Sequence, residues 1–323
     1  MATLRSCVRL SMAFCITCLF GANSWAQSYP TKVIRYVVPG STGSGGDVLG
    51  RVVAAGLAQT LGQQVIVDNR PGASGKIGTE MAAKAPPDGY LLLQLQIAHA
   101  LYASSAKNPS YDLQRDFATV TQLVAAPNVV VVHPSLPVKS IGELIKMAKA
   151  RPGALNVATA GPGSSTFIAT ESFRVLTGID ILQVHYNGGG PTLIGVVTGE
   201  CQVYFAPFAT ALPFVQQGRL RALAVTTSQR MPAAPELPTV AEAGVAGYEF
   251  SQWYGLAVPA RTPRENIMTI RNAVATVFGR PEVKRTISDL GAIPVGNQPE
   301  EFAAYIKSQI ATLTKVFPNR TID

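Results

Sequence analysis

Between residue 32 and about residue 226, short apolar runs alternate with segments of helical period, and this alternation constrains the fold more than any other feature of the chain. The candidate strands are Lys32–Val38, Gln64–Asp68, Tyr90–Leu95, Asn128–His133, Leu155–Thr159, Ile181–His185, Cys201–Phe205 and Leu220–Thr226. Helical patterns fill most of the gaps. Leu49, Val53, Leu57 and Leu61 recur every four residues, and Ser140-Ile141-Gly142-Glu143 is a capping-box pattern that opens "SIGELIKMAKA". Such alternation predicts an α/β fold of parallel sheets covered by helices. From about Thr262 it stops, and the chain reads as helices at Pro263–Phe278, Pro281–Leu290 and Pro299–Phe317, each opening near a proline. A terminal run of helices with no strand of its own must pack on sheets already built.

Two strand-to-helix connections share one design. "VVPGSTGSGGD" (37–47) and "NVATAGPGSSTFIATESF" (156–173) each run from a strand through a Gly/Ser/Pro loop into a helix. First-turn amides of a helix lack intrahelical partners, and glycines allow close approach to them, so an anion is the default occupant of such a loop. The two loops are separated by about the length of a small domain. Ligands of open α/β sheets bind at the carboxyl ends of the strands, so the two loops are expected to face each other across a cleft between two lobes.

Residues 1–26 have the layout of an export signal and are set apart from the fold. Arg5 and Arg9 form a basic start, Leu10–Ala22 an apolar centre and Ser24-Trp25-Ala26 a small-x-small cleavage site, with cleavage expected after Ala26. The apolar centre is shorter than the roughly 20 residues of a membrane span. Removing Arg5 and Arg9 takes the formal charge from +8 to +6, and no run of Lys or Arg forms the basic stripe that nucleic acids require. Cys7, Cys15 and Cys18 leave with the leader. Cys201 alone remains, which rules out an internal disulfide in the mature chain and reads as inert packing in a buried strand. The length that remains suggests two domains.

Several chemistries are disfavoured by the motifs. A P-loop would end in Gly-Lys-Ser/Thr where Gly45-Gly46-Asp47 stands, and a G-x-G-x-x-G begun at Gly43 meets Val48 at its third glycine. No G-x-S-x-G occurs, and the three histidines, His99, His133 and His185, show no metal-ligand spacing. His133 and His185 end apolar strands and read as structural. His99 follows a strand end and is placed beside the cleft. Neither a metal nor a cofactor is expected.

The strings "VDNRPGASGKIGTEMAAKAPPDGYLLL", "NVVVVHPSLPVKSIGELIKMAKARPGALNVATAGPGSST", "VHYNGGGPTLIGVVTGE", "QQGRLRALAVTTSQR", "ELPTVAEAGVAGYEFSQWYGLAVPARTP" and "PVGNQPEEFAAYI" run the length of the mature chain. They resemble the Bug family, the extracytoplasmic solute-binding receptors of tripartite tricarboxylate transporters. The resemblance implies a two-lobed periplasmic binding protein of type II, a Venus flytrap that closes its cleft on a small carboxylate held by two loops. Carried onto this chain, the loops are Thr42, Gly43, Ser44, Gly45, Gly46 and Asp47 in one lobe, and Gly161–Thr166, with Gly163, Ser164, Ser165 and Thr166, in the other. Gln96, His99, Tyr186, Asn187 and Ala206 complete the candidate ligand set.

The chain departs from the family pattern at informative places. Gly40 replaces an aromatic, Thr42 a proline, Ser44 a glycine and Gly46 a threonine, which predicts a roomier, more flexible loop. Phe167 stands for a common histidine and Ala206 for a common aspartate, while Gln94, Leu95 and Gln96 replace small residues and either narrow the pocket or supply an amide to the ligand. Plainer roles stand beside the ligand roles. Asp47 reads most simply as a helix N-cap, and Ser164, Ser165 and Thr166 also suit caps. Tyr186, Asn187, Gly188 and Gly189 suit a strand-end turn. Trp253 and Tyr254 of "SQWYGL" suit the core or hinge of a crossing strand.

The sequence therefore leads to a signal peptide at 1–26, a discontinuous first lobe at 27–125 and 250–323, and a second lobe at 126–249. The expected function is a monomeric, non-enzymatic periplasmic receptor that passes a small organic acid to the membrane subunits of a tripartite transporter or to a sensor. The alternative is an exported enzyme acting on a small acid.

Overall fold

The computed structural model describes residues 29–106 and 108–317. The export segment lies outside the described residues, and all elements below fall within Lys32–Asp323.

A single long strand, β4 (Phe117–Val132), belongs to two sheets. In the first sheet, β1 (Ile34–Val38) lies parallel to both β2 (Val65–Asn69) and β3 (Leu91–Gln96). Strand β9 (Ser251–Pro259) runs antiparallel to β3 and to the first part of β4, from Phe117↔Pro259 to Pro127↔Ser251. The two-residue β10 (Ile293–Pro294) pairs with β4 at Val124 and Ala125. In the second sheet, the rest of β4 is antiparallel to β7 (Val203–Pro207), from Asn128↔Pro207 onward, and to β8 (Arg221–Val225). There β5 (Asn156–Thr159) is parallel to β7 and to β6 (Leu182–His185). The change of sheet falls at Pro127 and Asn128, where a proline without an N–H donor suits a break in one ladder.

Helices form where stripe and cap coincide. Helix α1 (Gly45–Leu61) buries Leu49, Val53 and Leu57, the stripe read from sequence, and ends on Gly62 in the left-handed region. Its cap is Ser44, whose hydroxyl accepts from the Asp47 N–H, so Asp47 occupies the first turn and is not the cap. Further along come α2 (Lys76–Ala83) and α3 (Ile97–Ser105). They are followed by α4 (Ile141–Ala150), capped by Ser140, and α5 (Ser165–Thr177), capped by Ser164. Next are α6 (Gly189–Val197) and α7 (Phe208–Gln216). The C-terminal helices are α8 (Arg264–Gly279), α9 (Pro281–Asp289) and α10 (Pro299–Val316). Helix α10 places Phe302 directly over Gly255 of β9, where any side chain would collide with the ring. Trp253 beside it is fully buried, edge-on to Phe302 and Tyr305.

Three expectations need correction. The strand expected at Asn128–His133 begins eleven residues earlier, at Phe117. The C-terminal segment is not purely helical, because β10 joins the first sheet. Cys201 lies two residues before β7, although it is fully buried as expected, with its Sγ 3.5 Å from the Tyr186 hydroxyl.

Candidate functional site

The carboxyl ends of β1, β3, β5 and β7 surround a cavity of about 380 Å³. Each strand runs into a helix there. Gly45, Ile97 and Ser165 are the first residues of α1, α3 and α5, Pro207 caps α7, and all four line the cavity. Gln96, Ala98, Gly163, Ser164 and Leu49 belong to the same ends. The remaining wall comes from Val124, Ala126 and Asn128 of β4, Gln252 and Tyr254 of β9, and Leu290 and Ala292 between α9 and β10. No lining residue carries a charge.

The charge character of the cavity is therefore set by the backbone. First-turn amides of α1, α3 and α5 have no intrahelical acceptor, and helix N-termini carry partial positive charge. The caps take one amide each: Ser44 Oγ accepts from Asp47 at 3.3 Å, and Ser164 Oγ accepts from Phe167 at 3.2 Å. The α3 turn is closed by a reciprocal pair, in which the Gln96 side chain accepts from the His99 backbone and His99 Nδ1 accepts from the Gln96 N–H at 3.0 Å. Neither α3 nor α5 has an acidic residue in its first turn. Helix α1 has Asp47, which offsets part of its field. Burial raises the Asp47 pKa, but Arg51, the Gly43 amide and Asn69 outweigh it and hold the carboxyl below its ordinary range. Its charge is met by Arg51 at 3.0 Å and by the Gly43 N–H at 2.8 Å. The arrangement suits an anion held by amides and hydroxyls.

Behind the first loop, the residues that depart from the family pattern fit one another. Gln94 is buried, accepts from the Tyr36 hydroxyl at 2.7 Å and donates to the Gly46 carbonyl at 3.0 Å. A Cβ on Gly46 would lie 2.8 Å from Gln94 Nε2 and 3.2 Å from the Tyr254 ring. The loop is thus not roomier at Gly46, because the Gln94 amide fills the space that the missing side chain leaves. Burial pushes the Tyr254 phenol up against a pull from the Gln252 side chain, so it is a neutral hydroxyl at the cavity wall.

Of the candidate residues, the structure brings Gly45, Gln96, Gly163, Ser164 and Ser165 together on the cavity wall. Thr42, Gly43 and Ser44 lie in the turn before α1, with Gly46 and Asp47 buried in its first turn, and none of these is part of the wall. Thr166 is buried, its hydroxyl accepting from the Ala160 N–H at 2.9 Å. His99 is not at the cleft surface: it is 1% exposed, bonded to Gln96 and, through Nε2, to Thr79 Oγ1 at 3.0 Å. Tyr186 turns towards Cys201, and Asn187 is exposed away from the wall. Ala206 faces away as well. On β7, Tyr204 and Ala206 share the face packed on Val129 and Val131, while Phe205 takes the other face.

Tyr254 was read as core or hinge, yet it lines the cavity, and its neighbour Trp253 alone is core. Strand alternation is the signal that separates the pair. Asn128, Gln252, Leu290 and Ala292 carry no motif that singles them out. His133 and His185 are structural, their Nδ1 atoms each 2.7 Å from a hydroxyl, of Ser135 and Thr159 respectively. Among the described residues no cluster of His, Cys, Asp and Glu could hold a metal ion, and no helix is long and apolar enough to cross a membrane.

This is the fold of the two-lobed periplasmic solute-binding proteins. The family described as "Tripartite tricarboxylate transporter family receptor" matches residues 49–321. Protein BugT of Bordetella pertussis (strain Tohama I) is 32% identical over 299 residues, 92% of each chain. Among solved structures, "R. palustris Rpa4515 with adipate" is 34% identical with a TM-score of 0.75, covering 90% of this chain and 97% of the other. MatC (Rpa3494) from Rhodopseudomonas palustris with bound malate is 28% identical with a TM-score of 0.74, covering 89% and 99%. The chain belongs to the tripartite tricarboxylate transporter receptor family, whose members are periplasmic binding proteins.

Proposed function

We propose that this chain is a periplasmic receptor that captures a small organic acid and delivers it, unchanged, to membrane subunits of a tripartite transporter or to a sensor. The observation that carries the reading is the convergence of the α1, α3 and α5 N-termini on one cavity whose wall holds no charged side chain. Such a site favours an anion without a salt bridge. The adipate and malate bound by its relatives are carboxylates, in keeping with this chemistry.

The contacts proposed for the carboxylate are the first-turn amides at Gly45 and Ser165, with Gly163, the Ser165 hydroxyl and the Gln96 side-chain amide. The two lobes correspond to residues 27–125 with 250–323 and to 126–249, so that β4 and β9 form the crossing between them. Catalysis has little to work with, because no His, Cys, Asp, Glu, Lys or Arg lines the cavity and neither wall serine has a base beside it. The receptor works as a monomer and is exported by cleavage after Ala26.

Thermal melting of the periplasmic protein tests the reading. Small carboxylates should raise the melting temperature, and a ligand at 100 times its Kd adds about 2.7 kcal/mol. Stabilisation by neutral sugars or cationic amino acids alone would refute it. Intact mass should correspond to a chain starting at Gln27, and full-length chain in the membrane pellet would contradict the export step.

A further inference from the structure

The cavity wall is rich in donors, and two of its side-chain amide oxygens lack a hydrogen-bond partner among the described residues: Gln252 Oε1, which is sealed from solvent, and Asn128 Oδ1, whose side chain is held rigidly. Asn128 is 1% exposed, yet it lines the cavity. Its backbone is locked to Thr226: the Asn128 N–H donates to Thr226 Oγ1 at 3.0 Å, and its carbonyl accepts from the Thr226 N–H at 2.9 Å, while the Thr226 hydroxyl donates to the Phe250 carbonyl at 2.7 Å. Its side chain is locked as well, because Nδ2 donates to the Phe205 carbonyl at 2.7 Å. A carbonyl partner fixes which end of the amide is nitrogen. Oδ1 is therefore the end left over, and among the described residues it accepts no hydrogen bond. It also differs from the buried orphan atoms of the fold, such as Tyr204 Oη and Trp253 Nε1, which are sealed from solvent.

We infer that the ligand of this receptor is a carboxylic acid that carries a hydroxyl group, donated to Asn128 Oδ1, on an apolar body. The inference rests on the receptor reading above and adds a second recognition point to the same site. A buried amide oxygen that meets only apolar ligand surface loses the water it would otherwise bind, so a ligand with a donor there is selected over one without. The donor is neutral, because no Asp or Glu lines the cavity to balance an ammonium. The body is apolar, because Leu49, Ile97, Val124, Ala126 and Leu290 make up much of the wall and favour a ring or short hydrocarbon chain. Asn128 thus acts as a specificity-determining residue, separate from the amides that hold the carboxylate.

Calorimetry on the native protein tests this with two parent acids, benzoate and hexanoate, each compared with its positional hydroxy derivatives and their methyl ethers. At least one hydroxy acid should bind five- to tenfold tighter than both its parent and its ether, as expected for one neutral hydrogen bond. In Asn128→Ala the hydroxy acid should bind no tighter than its parent acid binds to the same variant. If that variant does not fold, the native series decides alone. Parent acids that bind with no hydroxyl advantage would overturn the inference and leave the receptor reading intact. A hydroxyl advantage that persists in Asn128→Ala would overturn the assignment of the acceptor. If adipate or malate binds and none of these acids does, the inference falls and the receptor reading stands; if no small carboxylate binds, both fall.

Discussion

The buried histidine beneath the cavity should make this protein lose stability in mild acid. In the folded chain, burial lowers the His99 pKa from 6.5 to about 4, against a smaller raising effect from the Gln96 backbone. The neutral ring is satisfied on both sides: Nδ1 accepts from the Gln96 N–H, and Nε2 donates to Thr79 Oγ1, whose own hydrogen goes to the Gly75 carbonyl at 2.9 Å. Protonation would put a hydrogen on Nδ1, which the Gln96 carbonyl at 3.1 Å would accept only at the expense of the bond from the Gln96 N–H, and would place a charge in a dry site. Because the folded pKa lies below the unfolded value, the unfolded chain takes up the proton first. The contribution is complete above pH 6.5 and is lost as pH falls towards 4. At ~1.4 kcal/mol per pH unit, the window is worth about 3 kcal/mol. Urea unfolding of native protein and His99→Gln at pH 7, 5.5 and 4.5 measures it. Native protein should lose about 2 kcal/mol more than the variant between pH 7 and 4.5. Parallel pH profiles for the two proteins would refute the reasoning and show that the ring is protonated without cost.

Other perturbations follow from the same geometry. Ser165→Ala removes a hydroxyl with no partner among the described residues, so carboxylate affinity should fall about tenfold to a hundredfold by calorimetry while the apo melting temperature barely moves. Gly46→Thr pushes a side chain against Gln94 and Tyr254, and should cost about 1–3 kcal/mol in urea unfolding. Adding Gln94→Ala should recover part of that loss, and strict additivity of the two changes would count against the proposed fit. Gly255→Ala collides with the Phe302 ring and should destabilise by a similar ~1–3 kcal/mol, largely relieved by Phe302→Leu in the double variant.

The strand–loop–helix units that carry the cavity were readable because local signals agreed. An apolar run, a Gly/Ser turn and a cap followed by a stripe coincide at both β1–α1 and β5–α5. The long strand was hidden by its polar residues. Thr119 and Thr121 look solvent-facing, but they are satisfied from across the fold: Thr119 Oγ1 donates to the Pro299 carbonyl and Thr121 Oγ1 to the Asn297 carbonyl, each at 2.8 Å. Those partners lie at least 176 residues away in sequence, beyond the reach of any local pattern. His99 was placed at the cleft because it follows a strand end. Its reciprocal bond with Gln96, three residues before it, turns the ring inward, and that depends on a cap geometry that composition does not reveal. Ala206 and Tyr254 share one feature that composition does not reveal. Both sit on strands where a shift of one residue changes the face, so the tenant of the wall is decided by register and not by residue type.

The central claim is that backbone amides at converging helix ends make this cavity a carboxylate site that binds without turnover. Calorimetric titration of the mature protein with a stabilising carboxylate and with its matching primary amide tests it most directly, provided the ligand is recovered and identified afterwards. The account predicts one site per chain, affinity for the acid at least tenfold above that for the amide, and acid recovered unchanged. Equal affinity for acid and amide, or recovery of a converted product, would contradict it.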